Sequence, residues 1–193
     1  MSDRDDDARV VVQAQKGQAD AFEKLVVKYE KQIFAFCMRM IGSRDDAADL
    51  TQEVFLRAYK SIKSYKPKAK FSTWLYTIAR NQCYNFTRDR STRRKHVMDG
   101  QLLGEDEAVD PVVPDAAKSP EHNARMGEYA ELIRRALNDL SEEHRAVILL
   151  REYQGMSYEE MSKVLGIRTG TIKSRLARAR QNMQKALEPL LDG

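Results

Sequence analysis

Apolar residues recur every three or four positions along most of this 193-residue chain, which is the spacing of one face of an α-helix. The clearest run begins at Phe22 and continues to Met40, and Gly42 suits its end. Nowhere do apolar and polar residues alternate as they would in a half-buried strand, and neither a hairpin turn signal nor an internal repeat occurs. The pattern predicts an all-α fold.

Helix starts are predicted at residues whose side chains can accept hydrogen bonds from the first backbone N–H groups. These signals are the Asp20 and Glu23 pair, Ser43 with Asp46, Ser72, and Ser141 in the second half. A shorter helix over Arg9–Gln15 is expected before them, ending at Gly17.

Charge is spread unevenly along the chain. The totals of 33 basic and 29 acidic residues give a net charge of only +4, which identifies no partner. Residues 57–96, however, hold 12 basic residues and one acidic residue, and residues 168–185 hold six basic residues and none acidic. Between these blocks, residues 97–124 carry a net charge of −6. Two surfaces that bind a polyanion are therefore predicted, separated by a segment that a polyanion would repel.

The acidic segment also contains Pro111, Pro114 and Pro120. Proline interrupts helices, and low hydrophobicity with a net charge disfavours a packed core. We therefore expect two small helical domains, residues 1–96 and 125–193, joined by a flexible acidic linker at 97–124. From composition alone, a solvated loop without function is the alternative.

The second domain carries the pattern of a helix-turn-helix. Ser157 with Glu160 fits a capping box, Gly166 can take the left-handed conformation of a sharp turn, and Thr169 fits the cap of the next helix. This last helix, which must end before Pro189, has an apolar stripe on one face and basic residues on the other. Such a helix fits the major groove of B-DNA. An ordinary amphipathic surface helix is the alternative.

Aromatic residues are interleaved with the basic residues over 57–96. Cations that follow phosphates, together with rings on which unpaired bases stack, are typical of proteins that bind single strands. Stacking contributes about 1–3 kcal/mol per base, comparable to the cost of unstacking one. Leu75 and Ile78 are expected in the core, and Trp74 either there or exposed. The exposed face is predicted to carry Tyr76, Arg80, Tyr84, Asn85 and Arg88.

No residue pattern indicates catalysis. Cys37 and Cys83 lack the spacing of a zinc site or a disulfide framework, and the three histidines are scattered. No carboxylate pair, nucleophile with a base, or glycine-rich phosphate loop is visible. No catalytic residue, metal site or cofactor is therefore predicted, and the expected function is binding rather than enzyme activity.

The chain is expected in the reducing cytoplasm. Four aspartates among the first ten residues exclude a secretory signal. The longest apolar run, Ala146–Leu150, is far shorter than the about 20 residues of a membrane span, so no membrane insertion is expected.

Three stretches together resemble one protein family. They are DAADLTQEVFL at Asp46–Leu56, FSTWLYTIARN at Phe71–Asn81, and the helix-turn-helix from Ser157 through GTIKSRLARAR to Arg180. In order and spacing they are similar to the bacterial extracytoplasmic-function (ECF) sigma factors of the sigma-70 family, over almost the whole chain. The resemblance implies sigma domain 2 at 1–96, the linker at 97–124 and sigma domain 4 at 125–193.

The resemblance also implies partners. Such a chain would bind core RNA polymerase, through the clamp helices of the β′ subunit and the β flap, and would direct transcription initiation at promoter DNA. The polymerase would perform the chemistry, and a separate anti-sigma factor would restrain the chain. The residues that match the docking motif are Asp49, Gln52, Glu53 and Phe55. A solvated helix face is the alternative for the polar members.

Two promoter elements would be read by different segments. The loop at 61–70 and the following helix would recognise and melt the −10 element, with Lys66, Lys68, Lys70, Trp74, Tyr76, Arg80, Asn81, Tyr84, Asn85 and Arg88 at matching positions. The last helix would read the −35 element with Arg168, Thr169, Thr171, Lys173, Ser174, Arg175 and Arg178. Many family members carry proline before the Gly-Thr pair, where this chain has Arg168 and Thr169.

Two other functions remain open from the residues alone. A helix-turn-helix regulator that acts without polymerase would usually show a dimerisation seam, and no heptad pattern is visible. A nuclease or recombinase would need a set of catalytic carboxylates, and none is discernible. Neither alternative explains the basic aromatic helix in the first half.

Overall fold

The computed structural model describes residues 3–97 and 120–188, with side chains over 7–92 and 126–188. All regular structure in these ranges is helical, which confirms the all-α prediction. Most of the linker predicted at 97–124 lies outside the described residues. Of that segment, Val97 closes one helix and residues 120–124 open the next.

Eight α-helices follow one another along the described chain. They are α1 (Asp3–Gln15), α2 (Ala19–Ile41), α3 (Arg44–Ser61), α4 (Phe71–Val97), α5 (Pro120–Asn138), α6 (Glu142–Ile148), α7 (Tyr158–Leu165) and α8 (Thr169–Leu187). A 3₁₀ turn, Ile62–Ser64, follows α3. A wider π-helical turn, Leu149–Tyr153, follows α6.

Three of the predicted helix starts are confirmed. The hydroxyls of Ser43, Ser141 and Ser157 accept hydrogen bonds from the backbone N–H groups of Asp46, His144 and Glu160. At the start of α7 the Glu160 carboxylate also accepts the Ser157 N–H, with N and Oε2 2.9 Å apart. This reciprocal pair is the predicted capping box.

Three other predicted starts were wrong. Helix α2 begins at Ala19, with Gln18 at its N-cap and no side-chain bond there, rather than at an Asp20 capping box. Ser72 lies inside α4, and Thr169 is the first residue of α8 rather than its cap. Packing overrides the capping preference at α4, because the buried Phe71 ring anchors the start of that helix.

The core is continuous through both halves of the chain. In the first half α2 packs on α1, α3 and α4; in the second half α8 packs on α5, α6 and α7. The halves meet where α4 lies against α7 and where α2 lies against α5 and α6. Fully buried side chains include Ile33, Phe36, Val54 and Leu75 in the first half and Val147, Leu150, Met161 and Ile172 in the second. Burying each of these side chains stabilises the folded chain by about 1.5–3 kcal/mol relative to leaving it exposed.

Gly166 makes the sharp turn between α7 and α8. Its φ is +68°, and its N–H donates to the Ser162 carbonyl at 2.9 Å, ending α7. An added Cβ would meet no atom within 4 Å, so only backbone strain opposes a side chain there. We expect Gly166→Ala to lower the free energy of unfolding by about 1–2 kcal/mol in urea titrations.

The control is Gly170→Ala, where an added Cβ also meets no atom within 4 Å. Because this residue is helical, alanine should leave stability unchanged or raise it by up to about 1 kcal/mol. Equal stabilities of the two variants would contradict the assignment of Gly166 as the strained turn.

Candidate nucleic-acid interface

Helix α4 begins in a cluster of aromatic rings. The ring centres of Tyr65, Phe71 and Trp74 lie 5.2–5.9 Å from one another, in tilted and edge-to-face pairs. Phe71 is buried, whereas Trp74 is half-buried. Trp74 therefore combines the two alternatives: part of its side chain packs on the cluster and the rest reaches the surface.

Tyr76 does not lie on the exposed face, so that part of the prediction was wrong. Its side chain is 1% exposed, and its ring packs edge-to-face on Phe36 with the centres 5.3 Å apart. Its hydroxyl donates to Oε1 of Gln154, and burial raises its pKa. Residue 76 shares the buried stripe of α4 with Ala79 and Cys83, at helical spacing.

A basic cleft of about 780 Å³ opens between the end of α3 and the middle of α4. Its lining comprises Arg57, Lys60, Ser61, Ile78, Arg80, Asn81, Gln82, Tyr84, Asn85 and Arg88, with Glu142 of α6 at one edge. Asn85 and Arg88 are exposed, as predicted, and so is Asn81. The cleft thus brings cations, amides and one ring together, a combination that suits an unpaired strand.

Tyr84 lies half-buried in this cleft. Burial raises the pKa of its phenol, an effect that the nearby Arg80 cation partly opposes. The guanidinium carbon of Arg80 is 5.3 Å from the centre of the Tyr84 ring. The ring therefore stays neutral at physiological pH and already stacks with a cation.

The other end of the same face of α4 is covered by α7. Arg80 donates from Nη2 and Nε to the Val164 carbonyl, at 2.6 and 3.2 Å. Nζ of Lys70 lies 2.8 Å from Oε1 of Glu160. The residues predicted to bind the −10 element therefore lie in three places. The open cleft is lined by Asn81, Tyr84, Asn85 and Arg88, and the loop exposes Lys66 and Lys68. The second half is contacted by Lys70, Tyr76 and Arg80.

The predicted helix-turn-helix is formed by α7 and α8. Ile172, Leu176 and Ala179 bury one side of α8. Most of the residues predicted to read the −35 element are exposed at the start of α8 or on its opposite side. These are Arg168, Thr171, Lys173, Ser174 and Arg178, whereas Thr169 is half-buried. Nζ of Lys173 lies 5.7 Å from the centre of the Tyr158 ring on α7.

Arg175 is placed differently from the other basic residues of α8. Its Nη2 lies 2.8 Å from Oε2 of Glu143 on α6, and its side chain is 26% exposed. The guanidinium must leave or share this ion pair to contact a base. The sequence pattern gave no sign of the pair, because 32 positions separate its members in the chain.

The residues predicted to dock on polymerase lie beside an apolar groove between α2 and α3. Asp49 and Gln52 are exposed, Glu53 accepts a hydrogen bond from Nε of Arg57 at 2.6 Å, and Phe55 is 8% exposed. The groove has a volume of about 360 Å³ and is lined by Phe22, Val26, Glu30, Thr51, Gln52, Phe55, Leu56 and Tyr59.

Leu56 and Tyr59 are functional candidates that the sequence reasoning missed. Their exposed fractions are 52% and 51%, which is high for such large apolar side chains. Their positions in the sequence could have indicated this exposure, because both fall outside the apolar stripe of α3 that includes Leu50 and Val54. An exposed apolar pair beside polar residues is typical of a protein-binding surface.

The sequence also missed the residues that join the two halves. Arg145 of α6 donates to the carbonyl oxygen of Met40 at the end of α2, at 2.5 Å. It also donates to the carbonyls of Leu137, Asn138 and Leu140 at 2.7–3.1 Å. Burial lowers the pKa of Arg145. Its partners are backbone atoms, which no residue pattern reveals.

Within the described residues, no three His, Cys, Asp or Glu side chains lie together as a metal site would require. In the same ranges no helix is both long enough and apolar enough to cross a membrane.

Two family models match the chain. The model of sigma-70 region 2 matches residues 25–93, which extend from α2 into α4, and the model of sigma-70 region 4 matches residues 130–183, which extend from α5 to α8. The second match includes the helix-turn-helix.

Full-length relatives are also found. The RNA polymerase sigma-H factor of Pseudomonas aeruginosa is 33% identical, covering 99% of this chain and 98% of that protein. The ECF RNA polymerase sigma factor SigW of Bacillus subtilis is 34% identical, covering 93% of this chain and 96% of that protein.

Solved structures share the fold. The sigma factor RpoE of Bartonella quintana, in complex with the anti-sigma factor NepR, is 28% identical with a TM-score of 0.69, covering 86% of this chain and 96% of that one. CnrH, solved with the cytosolic domain of CnrY, is 24% identical with a TM-score of 0.65, covering 95% and 97%.

The ion pair between Arg175 and Glu143 generates a prediction about duplex DNA. We expect Glu143→Gln to tighten binding up to about fivefold, because a partly exposed ion pair is worth about 0–1 kcal/mol and its loss releases Arg175. Fluorescence anisotropy with a labelled duplex at low salt measures the change.

Glu159→Gln is the matched control, since it removes the same charge from an exposed position on α7. Equal effects of the two substitutions would mean that Arg175 is not held back by Glu143.

Proposed function

Because the chain belongs to the sigma-70 family and matches ECF sigma factors along nearly its whole length, we propose that it is the promoter-recognition subunit of a bacterial RNA polymerase. It binds core polymerase, directs it to a specific class of promoters and starts transcription there. The observation that carries this conclusion is the match at 33% identity over 99% of the chain to such a factor.

In this proposal residues 1–96 form domain 2, residues 97–124 the linker and residues 125–193 domain 4. Domain 2 docks on the β′ clamp helices through Asp49, Gln52, Glu53 and Phe55. The apolar groove beside these residues adds Leu56 and Tyr59 to the docking surface. Domain 4 contacts the β flap.

The −10 element is bound along α4 and the loop before it. The exposed Asn81, Asn85 and Arg88 with the ring of Tyr84 form the open part of that surface. Lys66, Lys68, Lys70, Trp74 and Arg80 extend it toward the loop. The buried Tyr76 supports α4 from behind, since its ring packs on Phe36.

The −35 element is read by the start and exposed side of α8. Lys173, Ser174 and Arg178 are exposed there, and Arg175 reaches DNA once it leaves Glu143. Arg168, Thr169 and Thr171 approach the phosphates near the turn. A basic helix of this kind gains affinity by releasing counterions from the DNA.

The chain acts in the cytoplasm as a binding factor without enzyme activity of its own, and an anti-sigma factor restrains it. The support for an anti-sigma partner is that the similar structure of RpoE is a complex with the anti-sigma factor NepR.

The proposed function predicts new transcription start sites. Adding the purified chain to core polymerase and a genomic promoter library should produce run-off transcripts that share upstream sequence elements. Core polymerase alone is the control. Start sites identical with and without the chain would contradict the function.

The groove between α2 and α3 predicts a docking hot spot. We expect Leu56→Ala to weaken binding to core polymerase about tenfold, since truncating this side chain loses about 1–2 kcal/mol of apolar burial in the complex. Because Leu56 is half exposed in the free chain, the substitution should change the free energy of unfolding of the chain little. Biolayer interferometry with immobilised core polymerase measures the affinity.

Val12→Ala is the matched control. Val12 is exposed to a similar extent, 49%, but lies on α1 and does not line the groove. Equal affinities of the Leu56 and Val12 variants would reject the groove as the docking surface.

A further inference from the structure

The loop between α3 and α4 is tied to α1 by one side chain. Nε2 of Gln15, the last residue of α1, donates to the carbonyl oxygens of Ile62 and Tyr65, each at 2.9 Å. An amide nitrogen carries two hydrogens, so it can serve both oxygens at once. Because the partners lie 47 and 50 positions further along the chain, this clamp forms only when the first half has folded.

The two carbonyls belong to the turn that opens the loop. Ile62 begins the 3₁₀ turn, and Tyr65 directly follows its end. The Tyr65 N–H donates to the Ile62 carbonyl at 3.1 Å, and both side chains are buried. Gln15 therefore bonds both ends of this turn and sets the direction in which the chain enters the loop.

The remainder of the loop is held by Tyr65. Its hydroxyl donates to the Ala69 carbonyl at 2.6 Å, which closes the loop on itself. Lys66 and Lys68 are exposed on the closed loop. The Tyr65 ring also packs on Trp74, with the ring centres 5.2 Å apart. A shift of the Tyr65 backbone would therefore move both lysines and disturb the aromatic cluster at the start of α4.

Helix α1 is a suitable anchor because its attachment to the first half does not depend on Gln15. It packs on α2, and the side chains of Val11 and Ala14 are buried. Gln15 is half-buried, and Gln13 is exposed on the same helix. The apolar residues thus hold α1 in place, and the amide of Gln15 is left to bond the turn.

We propose that Gln15 is a positioning residue for the −10 element, because it holds the loop in the conformation that presents Lys66 and Lys68 to the promoter strand. The inference rests on the proposed function, which assigns this loop to the −10 surface. A loop that is ordered before binding loses less conformational entropy when the strand arrives. The clamp therefore favours strands that fit the ordered loop, although Gln15 itself does not contact them.

The first test measures the loop in the free, full-length chain. Trp74 is the only tryptophan, so its fluorescence reports on the aromatic cluster without a label. Gln15→Met keeps a side chain of similar length but has no donor for the two carbonyls. We expect acrylamide to quench Trp74 about twofold more strongly in this variant, because a loosened Tyr65 exposes more of the indole.

Gln13→Met is the matched control, because it makes the same change at an exposed position of α1. It should leave the quenching of Trp74 unchanged. Circular dichroism of both variants measures their helix content, which separates a local change in the loop from a general loss of structure.

The second test measures strand binding by the chain in complex with core polymerase. One fluorescein-labelled single strand carries the upstream −10 sequence shared by the run-off start sites, and a second strand has the same bases in scrambled order. We expect Gln15→Met to weaken binding of the −10 strand about three- to tenfold. Binding of the scrambled strand should change less than about twofold, since the attraction of Lys66 and Lys68 to phosphates needs no fixed loop.

Three results would overturn the inference while leaving the proposed function in place. They are equal quenching of Trp74 in the Gln15 and Gln13 variants, equal preference of these variants for the −10 strand, and an equal loss of affinity for both strands in Gln15→Met. The last would mean that Gln15 acts on general stability. A natural chain that does not distinguish the two strands overturns the proposed −10 surface, and the inference with it.

Discussion

Two arginines, each capping a helix end in the opposite half of the chain, set the arrangement on which the rest of the structure depends. Arg145 in the second half donates to the Met40 carbonyl at the end of α2. Arg80 in the first half donates to the Val164 carbonyl near the end of α7. Helix ends carry unpaired carbonyls with partial negative charge, so both contacts satisfy atoms that would otherwise need water. The halves therefore meet through polar bonds to backbone as well as through apolar packing.

The π-helical turn after α6 contributes to the same contact. At Leu149–Tyr153 the chain widens, and the Gln154 N–H donates to the Leu149 carbonyl at 3.2 Å. Gln154 then accepts the hydroxyl of Tyr76, and the Tyr153 ring lies 4.4 Å from the guanidinium carbon of Arg39 on α2. A regular α-helix turns by about 100° per residue, and the wider turn changes this angle, so the side chains that follow point in different directions than they would on a continuous α-helix. Tyr153 and Gln154, at the end of this turn and directly after it, thereby contact α2 and α4 of the first half.

Local patterns predicted the helices well, because apolar spacing and serine caps act within a few residues. The capping box at Ser157 and the turn at Gly166 belong to this class. The start of α8 was missed, since the Arg168 backbone rather than the Thr169 side chain opens that helix. Features that depend on distant residues were beyond reach, among them the burial of Tyr76 and the ion pair of Arg175. Their partners come from the other half or from another helix.

The polar character of the contact has an energetic consequence. Lys70 and Glu160 remain partly exposed, with side-chain exposed fractions of 49% and 21%, and such a pair contributes about 0–1 kcal/mol. A hydrogen bond from a charged group such as Arg80 contributes about 1.5–3 kcal/mol. Bonds of this size add to the apolar packing of the continuous core, which also joins the two halves. Hydrogen bonds are directional whereas apolar packing is not, so the polar contacts determine which residues of the two halves face each other.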